Sequence, residues 1–254
     1  MGPVVPSIER QRDSARLEQK YSGSRGRYFS QTEEPSILQY VRSGTRYALD
    51  LGTGTGRIAY LSAARSNFTV GVDVDVRGLR IARGKASPEA RVAFAAMDGA
   101  ALGLRSESLD IVTAVGTFEC TSDLRPILRE IARVLAPRGE IVFTCWNFDR
   151  WPKCDLMDRR APGSVLWTAR EVQRQAEESG LAIMDIASIF FVPRRLLWWL
   201  YRSLLIEPLR RTLVTLSVML EGRLGSMSAF AMGGRVLVVR AGKTCVTEPE
   251  YQFR

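Results

Sequence analysis

An aspartate and three closely spaced glycines form the part of this chain best suited to bind a ligand. Asp50 lies two residues before Gly52, and Gly54 and Gly56 follow at alternate positions. Glycine allows positive φ angles and a close approach of the backbone, which suit a strand-to-helix turn around a ligand. The dinucleotide-binding fingerprint has a different spacing, Gly-x-Gly-x-x-Gly. A carboxylate beside the turn would repel a pyrophosphate and attract an ammonium or sulfonium group, so the pattern favours a ligand with a cationic end.

Two further carboxylates follow predicted strands downstream of this turn. Residues 68–73 are typical of a short strand that ends in an acid, Asp73, where ribose hydroxyls commonly find their partner. Asp75 is the alternative ribose partner. Asp98 comes at the end of the next predicted strand. Because ligands of such sheets bind at the carboxyl ends of the strands, we expect these acids and the glycine turn to share one site.

The elements that would position these residues alternate between short apolar strands and amphipathic helices. This alternation predicts a doubly wound α/β sheet, mostly parallel, with ligand groups at the carboxyl ends of its strands. The predicted strands are residues 48–51, 68–73, 91–98, 109–116, 140–146, 181–192 and 234–241. The predicted helices are residues 76–86, 124–135 and 168–179, with two more between 193 and 221, the second beginning after Pro208.

Four motifs in this order closely resemble those of the class I S-adenosylmethionine-dependent methyltransferases. They are ALDLGTGTGRIA, VGVDVD, AAMDGAALGLRSESLDIVTAVGTFEC and EIARVLAPRGEIVFTCWN. The resemblance covers about residues 40–150 and is closest to the small-molecule branch, which includes quinone-biosynthesis methyltransferases. It implies a seven-stranded Rossmann-like sheet with a helical insertion before the last strand, and S-adenosylmethionine as the cofactor. It leaves the methyl acceptor open.

The resemblance also implies a role for each residue of the cofactor site. Asp50 would lie near the methionine amino group, and Asp73 would accept hydrogen bonds from both ribose hydroxyls. Asp98 would accept one from the adenine amino group, beside the N–H of Gly99 or Ala100. Taken alone, Asp50 is equally compatible with a role as a cap of the turn. The other cofactor-binding candidates would contact the cofactor through backbone or by packing: Gly52, Thr53, Gly54, Gly56, Val74 and Met97.

A general base is needed only when the acceptor must lose a proton, and this chain contains no histidine. Glu119, in the loop after the fourth strand, is the favoured catalytic candidate because such loops face the active site. A helix-capping or solvent-facing role is its competing interpretation. Tyr28 is the second catalytic candidate, and Asp123 and Asp149 are alternatives. The lack of histidine favours an acidic phenol, an activated carbon or an amine as the acceptor.

Composition is that of an ordinary globular protein, with 46% hydrophobic and 25% charged residues among 254. The four cysteines show no paired spacing, which argues for a reducing compartment and against a zinc site or a disulfide framework. Residues 1–18 are polar and lack the apolar core of a signal peptide. We therefore expect a cytoplasmic enzyme without a metal.

The net charge of +9 is concentrated in residues 187–243, which hold nine basic and two acidic residues. A basic excess is typical of proteins that bind nucleic acid, anionic membranes or anionic substrates. Arginine outnumbers lysine 32 to 4, so genome composition is the alternative explanation. Because no RNA-binding module or base-flipping motif accompanies the charge, we do not expect nucleic acid as a partner.

One structural domain with five segments is expected. The first segment, residues 1–45, is expected to form a helical flap. Its Tyr21, Tyr28 and Phe29 would either close over the cofactor and substrate or only anchor the flap. The insertion is apolar, aromatic and basic, and its apolar run is too short to span a membrane. It is interpreted as a lid over an apolar substrate, with peripheral membrane contact through residues 194–221 as the alternative. The segments are a helical flap (1–45), the cofactor-binding core (46–150), the rest of the sheet and helices (151–192), the lid insertion (193–233), and the last strand and tail (234–254).

The resemblance implies S-adenosylmethionine-dependent methyl transfer by in-line displacement, and the apolar insertion favours a small apolar or aromatic metabolite that accepts through an O, C or N atom. The alternatives are an RNA or protein methyltransferase, and a non-catalytic protein that binds S-adenosylmethionine. The sequence leaves the oligomeric state open.

Overall fold

A seven-stranded β-sheet is the framework of the computed structural model, which describes residues 23–149, 165–191, 207–226 and 233–243. The strands lie in the order β3-β2-β1-β4-β5-β7-β6. Pairing is parallel from β3 to β5, and β7 runs antiparallel to both β5 and β6. The predicted doubly wound, mostly parallel sheet is confirmed. The strands are β1 (Thr45–Leu51), β2 (Ser66–Asp73), β3 (Val92–Ala96), β4 (Leu109–Ala114), β5 (Leu135–Trp146), β6 (Leu181–Ile189) and β7 (Val236–Lys243).

Helices connect the strands and begin and end at local signals in the sequence. The fifth helix starts with a capping box, in which Thr168 and Glu171 each bind the other's backbone N–H. It is followed by Gly180, whose φ of +81° is readily adopted only by glycine. The helices are α1 (Gly23–Leu38), α2 (Arg57–Ala63), α3 (Val76–Lys85), α4 (Arg125–Val134), α5 (Ala169–Glu177) and α6 (Glu207–Ser226), with a 3₁₀ turn at Phe118–Cys120.

The sheet is covered on both faces because successive residues of a strand point to opposite sides. On one face, Leu49 of β1 and Phe143 of β5 pack in a buried cluster with Leu128 of α4. On the other face, Ala48 of β1 packs in a cluster with Ile37 at the end of α1. The two clusters hold the central strands, and therefore their carboxyl ends, in fixed positions relative to one another.

Several predicted strand boundaries differ from the structure by two or more residues, and the following three are examples. The predicted start of the fifth strand, residue 140, is wrong: β5 begins at Leu135, which pairs with Leu109 across an irregularity before regular pairing resumes at Glu140. The sixth strand was predicted to reach residue 192 and ends at Ile189. Asp98 lies beyond β3, in an isolated bridge with Ala101, rather than at the end of a strand.

The helices α1 and α6 pack against each other, and α6 also contacts β6. The second insertion helix was predicted to begin after Pro208, but α6 begins at Glu207 and holds Pro208 in its first turn, where a missing N–H is tolerated. None of the helices in the described ranges is long and apolar enough to cross a bilayer. Tyr21, residues 1–18 and the predicted helix before Glu207 lie outside the described residues.

Candidate active site at the carboxyl edge of the sheet

The turn after β1 depends on glycine for reasons within the protein. Gly52, Gly54 and Gly56 have φ angles of +69°, +55° and +86°. A Cβ atom on Gly52 would collide with the side chain of Thr117, which follows β4. The Thr117 hydroxyl donates a 3.0 Å hydrogen bond to the carbonyl oxygen of Leu51. The turn is thus held against the next loop at the carboxyl edge of the sheet.

Asp50 is a buried acid at the centre of this edge, with 2% of its surface exposed. The hydroxyl of Thr113, on β4, donates a 2.9 Å hydrogen bond to its Oδ1. Burial raises the pKa of Asp50 to about 6, although the nearby hydroxyls of Thr53 and Thr113 and the charge of Arg57 all oppose this. A cationic ligand group beside the carboxyl would bring the pKa down again, so the site favours such a group.

Asp73, at the end of β2, is tied to the glycine turn through its carboxylate. Its Oδ2 accepts a 2.8 Å hydrogen bond from the N–H of Gly54, and its Oδ1 accepts one of 2.8 Å from the N–H of Asp75. Each carboxylate oxygen has a second lone pair, so Asp73 can still accept hydrogen bonds from a diol. The side chain of Asp75 caps α3 by accepting from the N–H of Arg77.

The residues expected near an adenine ring form an open, partly apolar surface beside Asp73. Val74 is 42% exposed and Met97 is half-buried. Asp98 is exposed, and its Oδ1 accepts a 2.9 Å hydrogen bond from the N–H of Ala100. Of the two N–H groups predicted to meet a ring nitrogen, that of Ala100 is therefore engaged by Asp98. The N–H of Met97 donates to the carbonyl oxygen of Asp73 at 3.1 Å, which fixes this surface relative to β2.

A cluster of three charged side chains at the start of α2 was not predicted. Arg57, the first residue of α2, lies 2.5 Å from Oε2 of Glu33 and 3.0 Å from Oε1 of Glu34, both on α1. All three side chains are largely buried. The signal available in the sequence was the pair of adjacent glutamates in the predicted flap, but nothing local linked them to the glycine turn.

Glu119 lies inside the protein, in the 3₁₀ turn after β4. It is 7% exposed, so the solvent-facing interpretation is wrong. Its carbonyl oxygen accepts a 2.8 Å hydrogen bond from the N–H of Val165, and the Trp167 indole N–H binds the adjacent carbonyl of Phe118 at 3.1 Å. Burial raises the pKa of the Cys145 thiol on β5, and the nearby charge of Glu119 raises it further. A catalytic role for Glu119 stays a prediction.

Tyr28 connects α1 to α6 and to the residues that follow β6. Its hydroxyl donates a 2.6 Å hydrogen bond to Oε1 of Glu221 on α6, and Oε2 of Glu221 accepts one of 2.8 Å from the N–H of Phe191. The rings of Phe29 and Phe190 pack against Tyr28. Burial, followed by the charge of Glu221, raises the pKa of Tyr28 far above its ordinary value. A phenolate at neutral pH would therefore be costly, and catalysis by Tyr28 stays a prediction.

The two alternative bases lie in different surroundings. Asp123 pairs with Arg125 at 2.8 Å, and this contact lowers the pKa of Asp123, which makes it a weaker base. Asp149 donates its backbone N–H to Oδ1 of Asn147 at 3.1 Å. In the described part of the chain, no three His, Cys, Asp or Glu side chains gather in a way that could hold a metal ion.

A buried polar atom tests whether the site suits the predicted cofactor. The hydroxyl of Thr53 is buried at the turn, near the Asp50 carboxyl, and makes no hydrogen bond of normal geometry in the described structure. A buried polar atom of this kind is compatible with a ligand that supplies the missing partner. With Asp50 for an ammonium group, Asp73 for a diol and Val74 for a flat apolar ring, the residues fit S-adenosylmethionine.

Comparison with known proteins finds a family whose model matches the segment of the chain that carries this site. Residues 49–143 match the family model described as a methyltransferase domain. They contain the glycine turn, Asp50, Asp73 and Asp98. Residues 49–143 are a methyltransferase domain. The cofactor of such domains is S-adenosylmethionine.

Curated relatives are similar in sequence to the methyltransferase domain, but the similarity covers only part of each protein. The ubiquinone/menaquinone biosynthesis C-methyltransferase UbiE of Acidiphilium cryptum is 39% identical over 110 residues, which are 41% of this chain and 43% of that protein. The demethylmenaquinone methyltransferase of Thermus thermophilus is 40% identical over 99 residues, 37% of this chain and 44% of that protein. The chain therefore matches less than half the length of these relatives.

Solved structures show the same fold as the methyltransferase domain and its surroundings. A Haloferax volcanii methyltransferase, solved with the Trm112 methyltransferase activator, gives a TM-score of 0.64 at 16% identity and covers 93% of this chain and 95% of its own. An S-adenosylmethionine-dependent methyltransferase of Thermotoga maritima gives 0.63 at 17% identity, covering 94% and 99%. The [4+2]-cyclase SpnF gives 0.59 at 21% identity, covering 83% and 78%.

Proposed function

We propose that this protein transfers a methyl group from S-adenosylmethionine to a small acceptor that is apolar or aromatic. The observation that carries the proposal is the placement of two acids of different environment on one glycine turn. Asp50 is buried next to the turn, and the carboxylate of Asp73 accepts a hydrogen bond from the N–H of Gly54 in the turn. When bound, the cofactor supplies a methyl group activated by a sulfonium.

The residues of the chain would act mainly by binding, orienting and excluding water. The Asp50 carboxylate would bind the ammonium group, and Asp73 would orient the ribose. Val74 and Met97 would pack against the adenine. The helices α1 and α6 would exclude water from the carboxyl edge, because they pack together beside the end of β6.

An apolar acceptor is supported by the surface beside this edge. The register pairs Ile189, at the end of β6, with Val236, and Val236 with Trp146 at the end of β5. The aromatic cluster of Tyr28, Phe29 and Phe190 lies against this end of the sheet together with Val214 of α6. The relatives named above include two quinone-biosynthesis methyltransferases, and a further relative is an arsenite methyltransferase, so both kinds of acceptor belong in a screen.

A second candidate function is binding of the cofactor without methyl transfer. It is kept as a candidate because SpnF, which shares this fold, is described as a [4+2]-cyclase. Fold alone does not distinguish the two functions. The division of the chain into five segments, with residues 193–233 as a lid over the acceptor, also stays a prediction.

The test is calorimetric titration with S-adenosylmethionine, followed by an acceptor screen. We expect the native protein to bind and the Asp73→Ala variant to lose most of its affinity. Glu107→Gln is the matched control, because Glu107 pairs with Lys243 before β4 begins, at the opposite edge of the sheet. The screen would follow S-adenosylhomocysteine release with phenols, quinols and arsenite. Absence of binding to the native protein would overturn the proposal, whereas binding without release on any acceptor would favour the second candidate.

A further inference from the structure

The loop between β3 and β4, residues 97–108, carries the acid proposed to meet the adenine amino group. The side chain of Asp98 accepts a 2.9 Å hydrogen bond from the N–H of Ala100, and its carbonyl oxygen accepts one of 3.0 Å from the N–H of Ala101. Asp98 thereby closes a turn on itself. Within this turn, as the structure describes it, the N–H of Gly99 is the one left to meet a ring nitrogen.

Arg133 of α4 is bonded to this loop and uses every N–H donor of its guanidinium. Three donors go to the loop, to the carbonyl oxygens of Leu102 and Leu104 and to the hydroxyl of Ser106, each at 2.9 Å. The other two go to the carboxylate of Glu130 on the same helix, at 2.6 and 2.8 Å. A guanidinium has five N–H groups in a rigid plane, so none is left over. A lysine brings three donors on a flexible stem and would not reproduce this arrangement.

Glu130 holds the loop through a contact of its own. Its Oε1 accepts a 2.7 Å hydrogen bond from the N–H of Leu102, whose carbonyl oxygen binds Arg133. The hydrogen bonds from Arg133 lower the pKa of Glu130, so the carboxylate is charged at neutral pH. The side chain of Leu102 is buried in the cluster that also contains Leu128 of α4. Both backbone polar groups and the side chain of Leu102, four residues after Asp98, are therefore fixed by α4.

The beginning of the loop is fixed as well. The N–H of Met97 donates a 3.1 Å hydrogen bond to the carbonyl oxygen of Asp73. Gly99 packs closely between two other elements, because a Cβ atom on it would lie 3.1 Å from Leu51 of β1 and 3.5 Å from Ile127 of α4. The turn is thus held between β2 on one side and α4 on the other, and loss of either attachment would free it to move.

We infer that Arg133 and Glu130 are positioning residues that give the site its preference for adenine over a purine with a carbonyl group at C6. Adenine presents an amino group beside an unprotonated ring nitrogen, which match a carboxylate and an N–H group. Hypoxanthine presents a carbonyl oxygen and a ring N–H at the same two places, so both contacts become repulsive. This discrimination requires Asp98 and the N–H of Gly99 to stay at fixed positions, which the attachment to α4 provides. The inference rests on the proposed function, because it concerns the same cofactor.

The test compares the affinities for two ligands that differ in the base, S-adenosylhomocysteine and S-inosylhomocysteine, by calorimetry. The native protein should bind the adenine ligand at least about tenfold more tightly, because the hypoxanthine ligand loses a hydrogen bond to a charged group. In Arg133→Gln this ratio should fall by about threefold or more, mainly through weaker binding of the adenine ligand. Arg133→Lys keeps the charge but not the five donors, so its ratio should also fall.

A matched control lies on the same helix. Arg125 begins α4 and pairs with Asp123 and Glu178 rather than with the loop, so Arg125→Gln should leave the ratio unchanged. Glu130→Gln keeps an oxygen for the N–H of Leu102 but loses the charge that holds Arg133, so it should lower the ratio even if Arg133→Gln does not fold. Hydrogen exchange of residues 98–108 should become faster in each variant that lowers the ratio.

The ratio separates positioning from a merely structural role. If the variants of Arg133 and Glu130 weaken both ligands equally and leave the ratio unchanged, the pair only stabilises the fold and the inference is overturned. Native protein that binds both ligands equally well would also overturn it, while leaving the proposed function intact. Native protein that binds neither these ligands nor S-adenosylmethionine would instead overturn the proposed function.

Discussion

The backbone N–H of Gly54 donates a 2.8 Å hydrogen bond to the carboxylate of Asp73. This bond joins the glycine turn after β1 to the end of β2, so the acid proposed to bind the ribose also holds the turn in place. Each partner therefore depends on the other, and the effects of a substitution must be separated into loss of charge and loss of the bond.

We predict that Asp73→Asn and Asp73→Ala differ in a measurable way. The asparagine keeps an acceptor for Gly54 but loses the charge, and a hydrogen bond to a charged group is worth about 1.5–3 kcal/mol against about 0.5–1.5 kcal/mol for a neutral one. Affinity for S-adenosylmethionine should fall by about 10- to 100-fold in Asp73→Asn and further in Asp73→Ala, as measured by calorimetry. Only the alanine variant should also be less stable to urea. Equal losses of affinity without any change in stability would contradict the holding role of the bond.

Asp50 should make stability and binding respond oppositely to pH. Its pKa in the folded protein, about 6, lies above its ordinary value of 3.8, so its contribution to stability is greatest below pH 4 and is lost as pH rises through 6. The cost above pH 6 is about 3 kcal/mol from the two values. Asp50→Asn should therefore unfold at higher urea than the native protein at pH 8 but not at pH 4, while binding S-adenosylmethionine more weakly.

One result of the urea experiment would contradict the prediction for Asp50. If the native protein and Asp50→Asn show the same pH dependence of urea unfolding between pH 4 and pH 8, burial of this carboxyl does not carry the expected cost. Thr113→Val, which removes the hydroxyl that binds Asp50, is a matched variant. It should raise the pKa of Asp50 further and so lower stability at pH 8.

Gly52→Ala should be far more harmful than Gly44→Ala. Both residues have positive φ angles, +69° and +91°, but a Cβ on Gly44 would meet nothing within 4 Å, whereas one on Gly52 would strike Thr117. Backbone strain alone costs about 1–2 kcal/mol at each position. Urea unfolding should show that cost for Gly44→Ala and a larger one for Gly52→Ala. Combining Gly52→Ala with Thr117→Ala should recover part of the difference, and no recovery would argue against the collision.

Tyr28→Phe separates an anchoring role from a catalytic one. The phenylalanine keeps the ring contacts but leaves the buried Glu221 carboxylate without its hydroxyl donor, which should cost about 1–3 kcal/mol in unfolding. Glu221→Gln in the same chain should recover part of that loss. If Tyr28 anchors, kcat should stay within about threefold when measured well below the unfolding temperature. A large fall of kcat at unchanged stability would instead assign it to the chemistry.

Local sequence predicted the parts of the site that depend on neighbouring residues. The glycine turn, Asp50 before it and Asp73 at the end of β2 lie within 24 consecutive residues, and their spacing encodes the arrangement. The predicted start of β5, residue 140, was wrong because Leu135 already pairs with Leu109 in the sheet. This pairing outweighs the tendency of the Pro and Gly that follow to interrupt a strand. Contacts between distant residues were beyond prediction: Arg57 meets Glu33 at a separation of 24 positions, and Tyr28 meets Glu221 at 193.

The position of β7 between β5 and β6 bears on how the chain can be synthesised and trimmed. The last described strand to leave the ribosome is the one that attaches β6 to the sheet, because β6 pairs with β7 alone in the described sheet. A nascent chain that ends before residue 236 can therefore complete five strands, while β6 waits with both of its edges unpaired. Exposed strand edges invite association between chains. Removal of residues 236–243 would cost two strands rather than one, and would leave an edge of β5 exposed as a site for aggregation.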